Sequence, residues 1–203
     1  VRVYRGIPYA APPLGDYRWK PPQPVTPWTG IRECTKFSLM PPQKFPTPPL
    51  YGNIPESGMG EDCLYINIYT PAKKRTDRLP VMVWLHGGGL DGASGNDASW
   101  NREYLPQHGV VLVNVNARLG PLGYMAHPLL SAESGYGASG NYGQLDQIAA
   151  LKWVQKNIAA FGGDPDKVTI FGESGGGAKV RWLTASALAK GLFHRAIIQS
   201  GAI

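Results

Sequence analysis

The sequence predicts an α/β fold with a mostly parallel, twisted sheet and flanking helices, and three observations lead to this prediction. Residues 81–85 and 110–116 are apolar at nearly every position, which is typical of parallel strands that helices cover on both faces. Between residues 141 and 160 the apolar side chains recur at helical spacing, and a Gly-Gly pair ends the pattern. A β-branched strand follows at residues 168–171, so strand, helix and strand form a βαβ crossover.

The N-terminal quarter of the chain predicts extended structure. Residues 1–5 read as the middle of a strand, and prolines and aromatics are frequent from there to about residue 55. Because proline interrupts helices, this stretch is expected to wrap the surface of the domain as extended segments and turns. Residues 64–69 then alternate in polarity, which predicts a strand that Pro71 ends.

The remaining connections differ in their predicted structure. Residues 91–109 are polar and contain glycine, with a short helix expected near residues 100–105. Residues 120–141 carry Gly-Pro, His-Pro and Ser-Gly pairs, which predicts a loop long enough to form one wall of a site. Residues 196–199 supply a further short strand. Since no internal repeat or linker is visible, residues 1–203 are expected to form a single domain.

Composition and charge argue against several classes of function. The formal net charge of +6 comes from scattered basic residues, and one cluster, residues 73–78, falls in a polar connection where a solvated turn is expected. Nucleic acid is therefore not an expected partner. No apolar run reaches about 18 residues, so no membrane span is predicted. Cys34 and Cys63 are too few ligands for a metal site, which leaves two buried thiols or one disulfide.

A candidate nucleophile lies in the motif Gly172-Glu173-Ser174-Gly175-Gly176. The strand before it and the small residues after it predict a strand, a sharp turn and a helix, which is how a nucleophile elbow presents a serine. Gly172 and Gly176 are expected to leave room at a turn whose serine has strained backbone angles. The alternative is a Gly-rich loop that binds phosphate at a helix N-terminus, but no Gly-Lys-Ser or Gly-Lys-Thr closes the motif.

A second motif, His86-Gly87-Gly88-Gly89, directly follows the strand at residues 81–85. An acyl-transfer serine needs backbone N–H groups aimed at the developing oxyanion, and consecutive glycines allow main chain to approach a substrate closely. His-Gly-Gly-Gly is the oxyanion loop that accompanies a Gly-x-Ser-x-Gly elbow in lipases and esterases. Together the two motifs predict an acyl-transfer site with Ser174 as its nucleophile.

Six separated groups of residues are spread along the chain: Gly6 to Gly15, Glu61 to Asn67, His86 to Leu90, Arg118 to Pro121, Phe161 to Pro165, and Gly172 to Gly176. In sequence and order they resemble the type-B carboxylesterase family of cholinesterase-like α/β-hydrolases. The resemblance implies an α/β-hydrolase fold and a serine carboxylesterase that forms an acyl-enzyme without a cofactor or metal. A small-molecule ester is the implied substrate.

The resemblance also implies roles for residues of the two motifs. The backbone N–H groups of Gly88, Gly89 and Gly175 would form the oxyanion hole. Glu173 and His86 would line the substrate site. For Glu173 the alternative is a packing role in the elbow, and for His86 it is a role in shaping the loop.

Three structural pairs are implied in the same way: Cys34 with Cys63 as a disulfide, Arg18 with Glu61, and Arg118 with Asp146. The disulfide would place the protein in an oxidising compartment, secreted or periplasmic. The Arg18 pair lies at the surface, where unpaired charges are the alternative. The Arg118 pair would be buried under the active site, where removal of one partner strands a charge.

The chain does not complete a catalytic triad in the family's order, in which an acid and then a histidine follow the serine. No Asp or Glu follows Ser174, and the one later histidine, His194, is expected to be structural. Two explanations stay open. The chain is the N-terminal part of an esterase whose acid and histidine lie on C-terminal residues or a second chain, or it is a catalytically inactive, neuroligin-like interaction domain.

Several positions depart from the family's pattern, and three of them lie in the elbow or in the helix that follows it. Gly175 stands where alanine is usual, which keeps the N–H donor but is expected to make the elbow more flexible. Lys179 and Arg181 place charges in a helix that is expected to be well buried, which is at odds with close apolar packing.

Overall fold

The computed structural model describes residues 1–44, 57–101 and 103–201, and a six-stranded sheet forms its centre. Each strand coincides with a stretch that the sequence predicts as a strand, although the fifth begins earlier than expected. The strands are β1 (Arg2–Pro8), β2 (Tyr65–Thr70), β3 (Leu79–Leu85), β4 (Val111–Val115), β5 (Gly163–Glu173) and β6 (Arg195–Gln199).

The sheet has the strand order β1-β2-β4-β3-β5-β6. Strands β4, β3, β5 and β6 run parallel, whereas β1 is antiparallel to β2 and β2 is antiparallel to β4. The prediction of a mostly parallel sheet is confirmed. The crossover from β4 to β5 also joins parallel strands, but it passes over β3, which lies between them and is hydrogen-bonded to both.

Most of the helical residues in the described part of the chain lie after β4. The α-helices are α1 (Tyr104–Gln107), α2 (Gly120–Tyr124), α3 (Pro128–Glu133), α4 (Tyr142–Asn157) and α5 (Gly175–Ala185), with 3-10 turns at Gly15–Tyr17, Arg75–Asp77, Ile158–Phe161 and Ala187–Ala189. The helix predicted for residues 141–160 is confirmed, although its last turn tightens to 3-10 geometry before Gly162. None of the helices described here has the length and apolarity needed to cross a membrane.

The prediction of a continuous loop over residues 120–141 is wrong in part, because α2 and α3 lie within it. Pro121 and Pro128 each occupy the first turn of one of these helices. The missing N–H of proline costs no hydrogen bond there, and its fixed φ suits a helix start. The Gly-Pro and His-Pro pairs therefore begin helices here rather than exclude them.

Helices α4 and α5 pack on one face of the sheet. Val83 and Leu85 of β3 share a buried cluster with Leu151 of α4. Because side chains alternate along a strand, Trp84 points to the opposite face, where it contacts Phe171 with 4.9 Å between ring centroids. Both aromatic rings remain half-buried, so the second face of the sheet is more open than the first.

The N-terminal segment runs as extended chain with turns through residues 9–44, as predicted, and residues 45–56 of that prediction lie outside the described residues. The predicted pair of Arg18 with Glu61 is confirmed. The Arg18 guanidinium donates two hydrogen bonds to the Glu61 carboxylate, at 2.6 and 2.7 Å. This pair links the segment to the loop that leads into β2.

The structure does not contain the predicted disulfide. Cys34 and Cys63 are free thiols, with Cys63 inside the apolar core and Cys34 packed against it. Burial raises the pKa of both thiols, most strongly that of Cys63. The protonated form is therefore favoured at neutral pH, and a secreted or periplasmic location stays a prediction.

Candidate active site

Ser174 stands at the sharp turn between β5 and α5. Its backbone angles, φ 55° and ψ −124°, lie in a region that residues other than glycine rarely adopt. The Ser174 N–H donates to the carbonyl oxygen of Gln199 at 2.9 Å, so the end of β6 holds the turn in place. The Ser174 carbonyl accepts from the Ala178 N–H at 3.1 Å and starts the helix. The predicted strand, turn and helix are confirmed.

The glycines on either side of Ser174 are required by close backbone contacts. A Cβ added to Gly172 would lie 2.5 Å from the carbonyl carbon of Gly176. A Cβ added to Gly176 would collide with the carbonyl oxygen of Leu85, at the end of β3. The steric reason that the sequence suggested for these two glycines is therefore confirmed.

The glycine loop, residues 86–89, lies directly against the elbow, residues 172–176. A Cβ added to Gly87 would lie 2.9 Å from the carbonyl oxygen of Glu173 and 3.6 Å from Cβ of Ser174. A Cβ added to Gly175 would lie 2.5 Å from the backbone nitrogen of Gly89. The fold thus brings together two motifs that are far apart in the sequence.

Three backbone N–H groups at this junction have no acceptor among the described residues: those of Gly88, Gly89 and Gly175. Gly175 is the first residue of α5, where an N–H has no partner within the helix. Gly88 and Gly89 have positive φ, 80° and 62°, which glycine adopts without strain. Unpaired N–H groups at adjoining stretches of backbone can stabilise an anion, so the geometry suits an oxyanion.

His86 is buried beneath the glycine loop, with 3% of its surface exposed. Its Nδ1 lies 2.9 Å from the carbonyl oxygen of Gly87, and because that oxygen can only accept, Nδ1 carries the proton. Burial, together with the charge of Lys179, holds the pKa of His86 well below its usual range, so the ring is neutral. This arrangement favours the loop-shaping role over a substrate contact.

Glu173 has an exposed side chain at the end of β5. A Cβ on Gly87 would lie 3.4 Å from its Oε2, so the carboxylate stands beside the glycine loop. The position agrees with the predicted place at the substrate site and puts a negative charge there.

Sequence reasoning missed the contact that Lys179 makes. The side chain is 1% exposed, and its Nζ donates to the carbonyl oxygen of His86 at 3.0 Å. A lysine in a helix that was expected to be well buried signalled an unusual position. The acceptor could not be found in the sequence, because it lies 93 residues away.

Two buried asparagines, also missed, hold the segment that follows the glycine loop. Asn67 donates to the carbonyl oxygen of Gly95 at 3.1 Å, and the side-chain oxygen of Asn116 accepts from the Gly95 N–H at 2.7 Å. The same Asn116 oxygen accepts from the Ser94 hydroxyl at 3.0 Å. The signal in the sequence was a polar residue within or directly after an apolar strand.

The predicted buried pair of Arg118 with Asp146 is confirmed. Nε and Nη2 of Arg118 donate to the two carboxylate oxygens at 2.9 and 2.7 Å, and the Arg118 backbone N–H donates to the same carboxylate at 3.0 Å. Burial lowers the pKa of Arg118, but the hydrogen bonds and charge of Asp146 outweigh it, and the pKa is raised overall. The pair joins the chain after β4 to α4.

No histidine of the described residues is hydrogen-bonded to the Ser174 hydroxyl. His194 accepts from the Val168 N–H at 3.2 Å, in the middle of β5, and six residues of chain, about 20 Å when extended, separate Val168 from the serine. His127 accepts from the Leu129 N–H at the start of α3. The structural role predicted for His194 is consistent with its contacts, and the described residues hold no cluster of metal-ligating side chains.

A cavity of about 650 Å³ opens beside the glycine loop. Leu90, directly after the glycines, lines it together with Tyr124, Gln144 and Trp182. Tyr124, Ala126 and residues 139–141 form one side of this cavity. Its lining does not include Ser174 or the glycines of the two motifs, so the prediction that residues 120–141 form a wall of the site stays a prediction.

Comparison with known proteins agrees with this geometry. The profile of the Carboxylesterase family matches residues 1–203. The chain is 48% identical to a fumonisin B1 esterase of Sphingopyxis macrogoltabida over 98% of its length, and 47% identical to the liver carboxylesterase of Sus scrofa over 99%. The solved structure of a thermophilic PNB esterase superposes with a TM-score of 0.88 at 44% identity over 98% of the chain. The chain spans 36% of the two curated relatives and 40% of the solved chain.

Proposed function

Because this chain belongs to the carboxylesterase family, we propose that the protein that contains it is a serine carboxylic-ester hydrolase acting on small-molecule esters. The observation that carries the proposal is the position of Ser174. It is held in a strained turn, and the unpaired N–H groups of Gly88, Gly89 and Gly175 adjoin it.

The arrangement supports a two-step acyl transfer. Ser174 Oγ attacks the ester carbonyl while its proton passes to a histidine base, and the histidine then gives that proton to the alkoxide, which leaves as the alcohol. The N–H groups of Gly88, Gly89 and Gly175 stabilise the negative oxygen of each tetrahedral intermediate. Water, activated by the same base, then releases the acid from the acyl-enzyme. Glu173 places a negative charge near the site, which favours the imidazolium that forms when the base accepts the proton.

The histidine and its acid are proposed to lie on C-terminal residues or on a second chain, because among the described residues no histidine or carboxylate is hydrogen-bonded to the Ser174 hydroxyl. In this family the acid and the histidine follow the serine in the sequence. No nucleic acid partner is proposed. A secreted or periplasmic location stays a prediction.

The alternative is a catalytically inactive interaction domain. A residue other than glycine in such a strained backbone conformation costs about 1–3 kcal/mol, and this cost persists where function requires it. A binding domain has no use for a strained serine beside three unpaired N–H groups. The site therefore favours the hydrolase.

Covalent labelling of the whole protein with a fluorophosphonate tests the proposal. The wild type is expected to label at Ser174 and to hydrolyse a p-nitrophenyl ester. Ser174→Ala should abolish labelling and lower kcat by at least about 10³-fold, because the nucleophile is lost. Ser99→Ala, which removes an exposed hydroxyl elsewhere, is the matched control and should keep wild-type activity. Full ester turnover by Ser174→Ala would contradict the assignment, and an unlabelled, inactive wild type would favour the interaction domain.

A further inference from the structure

Lys179 is a buried cation without a carboxylate partner. It lies in the second turn of α5, is 1% exposed, and forms no ion pair with any described residue. Its one hydrogen bond goes to the carbonyl oxygen of His86 at 3.0 Å. Lysine is almost never fully buried without a partner, because removing the ammonium from water is costly. The position therefore calls for a physical reason.

The reason is visible in the peptide planes of the glycine loop. The carbonyl and the N–H of one peptide unit lie in a plane and point in opposite directions. Lys179 holds the carbonyl of His86 and so fixes the plane between His86 and Gly87. The His86 ring holds the carbonyl of Gly87 and so fixes the next plane, whose N–H belongs to Gly88. Hydrogen bonds from two side chains thus fix the orientation of two successive peptide planes.

Such tethers matter because glycine has little conformational preference of its own. A run of three glycines would otherwise sample many orientations of its N–H groups. Lys179 belongs to the same helix that begins at the elbow, so its hydrogen bond connects the glycine loop to the element that carries the nucleophile.

The electrostatic surroundings agree with this geometry. Burial lowers the pKa of Lys179 to about 7, and the charge of Asp91 opposes this shift. Among the described residues, the titratable groups that interact with Lys179 are His86, in the glycine loop, and Asp91, two residues after it. Both the ammonium and the neutral amine carry N–H groups, so the hydrogen bond to His86 persists in either form.

We propose that Lys179 is a positioning residue, which ties the glycine loop to the nucleophile helix and orients the N–H donors relative to Ser174. The inference rests on the proposed function for its effect on catalysis. The tether itself is a property of the fold and can be measured separately.

An apolar side chain of similar size would fill the same space without the desolvation cost. Lys179→Met is therefore expected to raise the midpoint of thermal unfolding of the whole protein while it impairs the site. A residue that served only the structure would change stability and activity in the same direction. A higher midpoint of unfolding together with a lower activity therefore distinguishes a positioning residue from one that serves only the structure.

The test compares Lys179→Met with Lys190→Met, which removes an exposed lysine beyond the same helix. Loss of an oxyanion donor costs about 10²–10³ in kcat, and a misaimed donor should cost less, so we expect Lys179→Met to lower kcat about 10- to 100-fold. KM should change little, because the substrate-binding surface is intact. Lys190→Met should keep the wild-type kcat. If Lys179→Met fails to fold, Lys179→Leu, which also removes the donor, takes its place.

Hydrogen–deuterium exchange supplies a readout that does not depend on esterase activity. Peptides covering residues 86–90 should exchange faster in Lys179→Met than in the wild type, while those of α4 stay unchanged. A wild-type kcat with unchanged exchange in residues 86–90 would overturn the inference, as would a loss of kcat accompanied by loss of stability. If the wild type itself neither labels nor hydrolyses esters, the proposed function fails, and the exchange result alone decides the tether.

Discussion

Arg118 and Lys179 are both buried cations, but their surroundings differ. Arg118 is 2% exposed and meets a carboxylate, that of Asp146, which accepts three hydrogen bonds from it. Lys179 is 1% exposed, and among the described residues its ammonium donates only to the backbone carbonyl of His86. The pKa is raised for Arg118 and lowered for Lys179. The surroundings thus favour the charged form of Arg118 and disfavour the charged form of Lys179.

The difference shows what each position contributes. The Arg118 pair joins the chain after β4 to α4, and either partner alone would be an uncompensated buried charge. Lys179 forms no ion pair with a described residue, so it adds little to the stability of the fold. What it provides is a fixed contact between the nucleophile helix and the glycine loop. One buried cation supports the scaffold, and the other supports the site.

The largest expected effect comes from breaking the paired position. Asp146→Ala leaves Arg118 buried without a counter-charge and leaves its backbone N–H without an acceptor. We expect the free energy of unfolding of the whole protein to fall by about 3–5 kcal/mol, measured by urea denaturation. The double variant Arg118→Met with Asp146→Leu removes both charges and should cost only about 1–3 kcal/mol, mainly for the unpaired N–H. A double variant as unstable as Asp146→Ala would contradict this account.

The next largest effect is expected in how the stability of the protein depends on pH through Lys179. The pKa of Lys179 is about 7 in the folded protein and about 10.4 in an unfolded chain, so between these values the unfolded state binds more protons. Above the pKa of the unfolded chain, Lys179 is neutral in both states, and its burial costs no stability. As the pH falls towards 7, the unfolded state gains the proton first, and the folded protein becomes less stable. The stability advantage of Lys179→Met over the wild type should shrink from pH 7 to pH 9, by at most about 1.4 kcal/mol per pH unit. Urea denaturation of both proteins at pH 7, 8 and 9 measures it, and a constant difference would argue that Lys179 is not desolvated.

The smallest effect is expected where a cation pairs at the surface. Arg18 and Glu61 form a bidentate pair with short hydrogen bonds, but both side chains remain partly exposed. Water and salt screen such a pair, so its geometry adds little to stability. Glu61→Gln should leave the urea midpoint nearly unchanged, at low and at high salt. A large loss of stability would show that this pair behaves like the buried one.

The strands and the elbow could be predicted from the sequence because their signals are local. Apolar runs marked β3 and β4, and the glycines around Ser174 marked a turn whose crowding the structure confirms. The pairing of Arg118 with Asp146 was anticipated only through the family resemblance. Helices α2 and α3 were missed because their prolines were interpreted as breakers, whereas both stand in first turns.

The contacts that shape the site could not be predicted in the same way. Lys179 was conspicuous as a charge in a buried helix, yet its partner is a backbone carbonyl 93 residues earlier. The bonds of Asn67 and Asn116 to Gly95 likewise join residues that only the strand order brings together. Periodicity reports which face of an element is buried, but it carries no information about which distant backbone atom lies beside it.

The position of β3 in the sheet has a consequence for synthesis on the ribosome. Residues 79–85 are completed well before their partner on one side, β5, which begins at Gly163. At about 5–20 residues per second, translation takes roughly 4–16 s to add the intervening chain. Until β4 (Val111–Val115) is made, neither edge of this apolar strand has its native partner, and afterwards the edge that faces β5 still lacks one. Such an edge can pair with other chains, so the nascent protein carries an aggregation-prone strand between the synthesis of the glycine loop and that of the elbow.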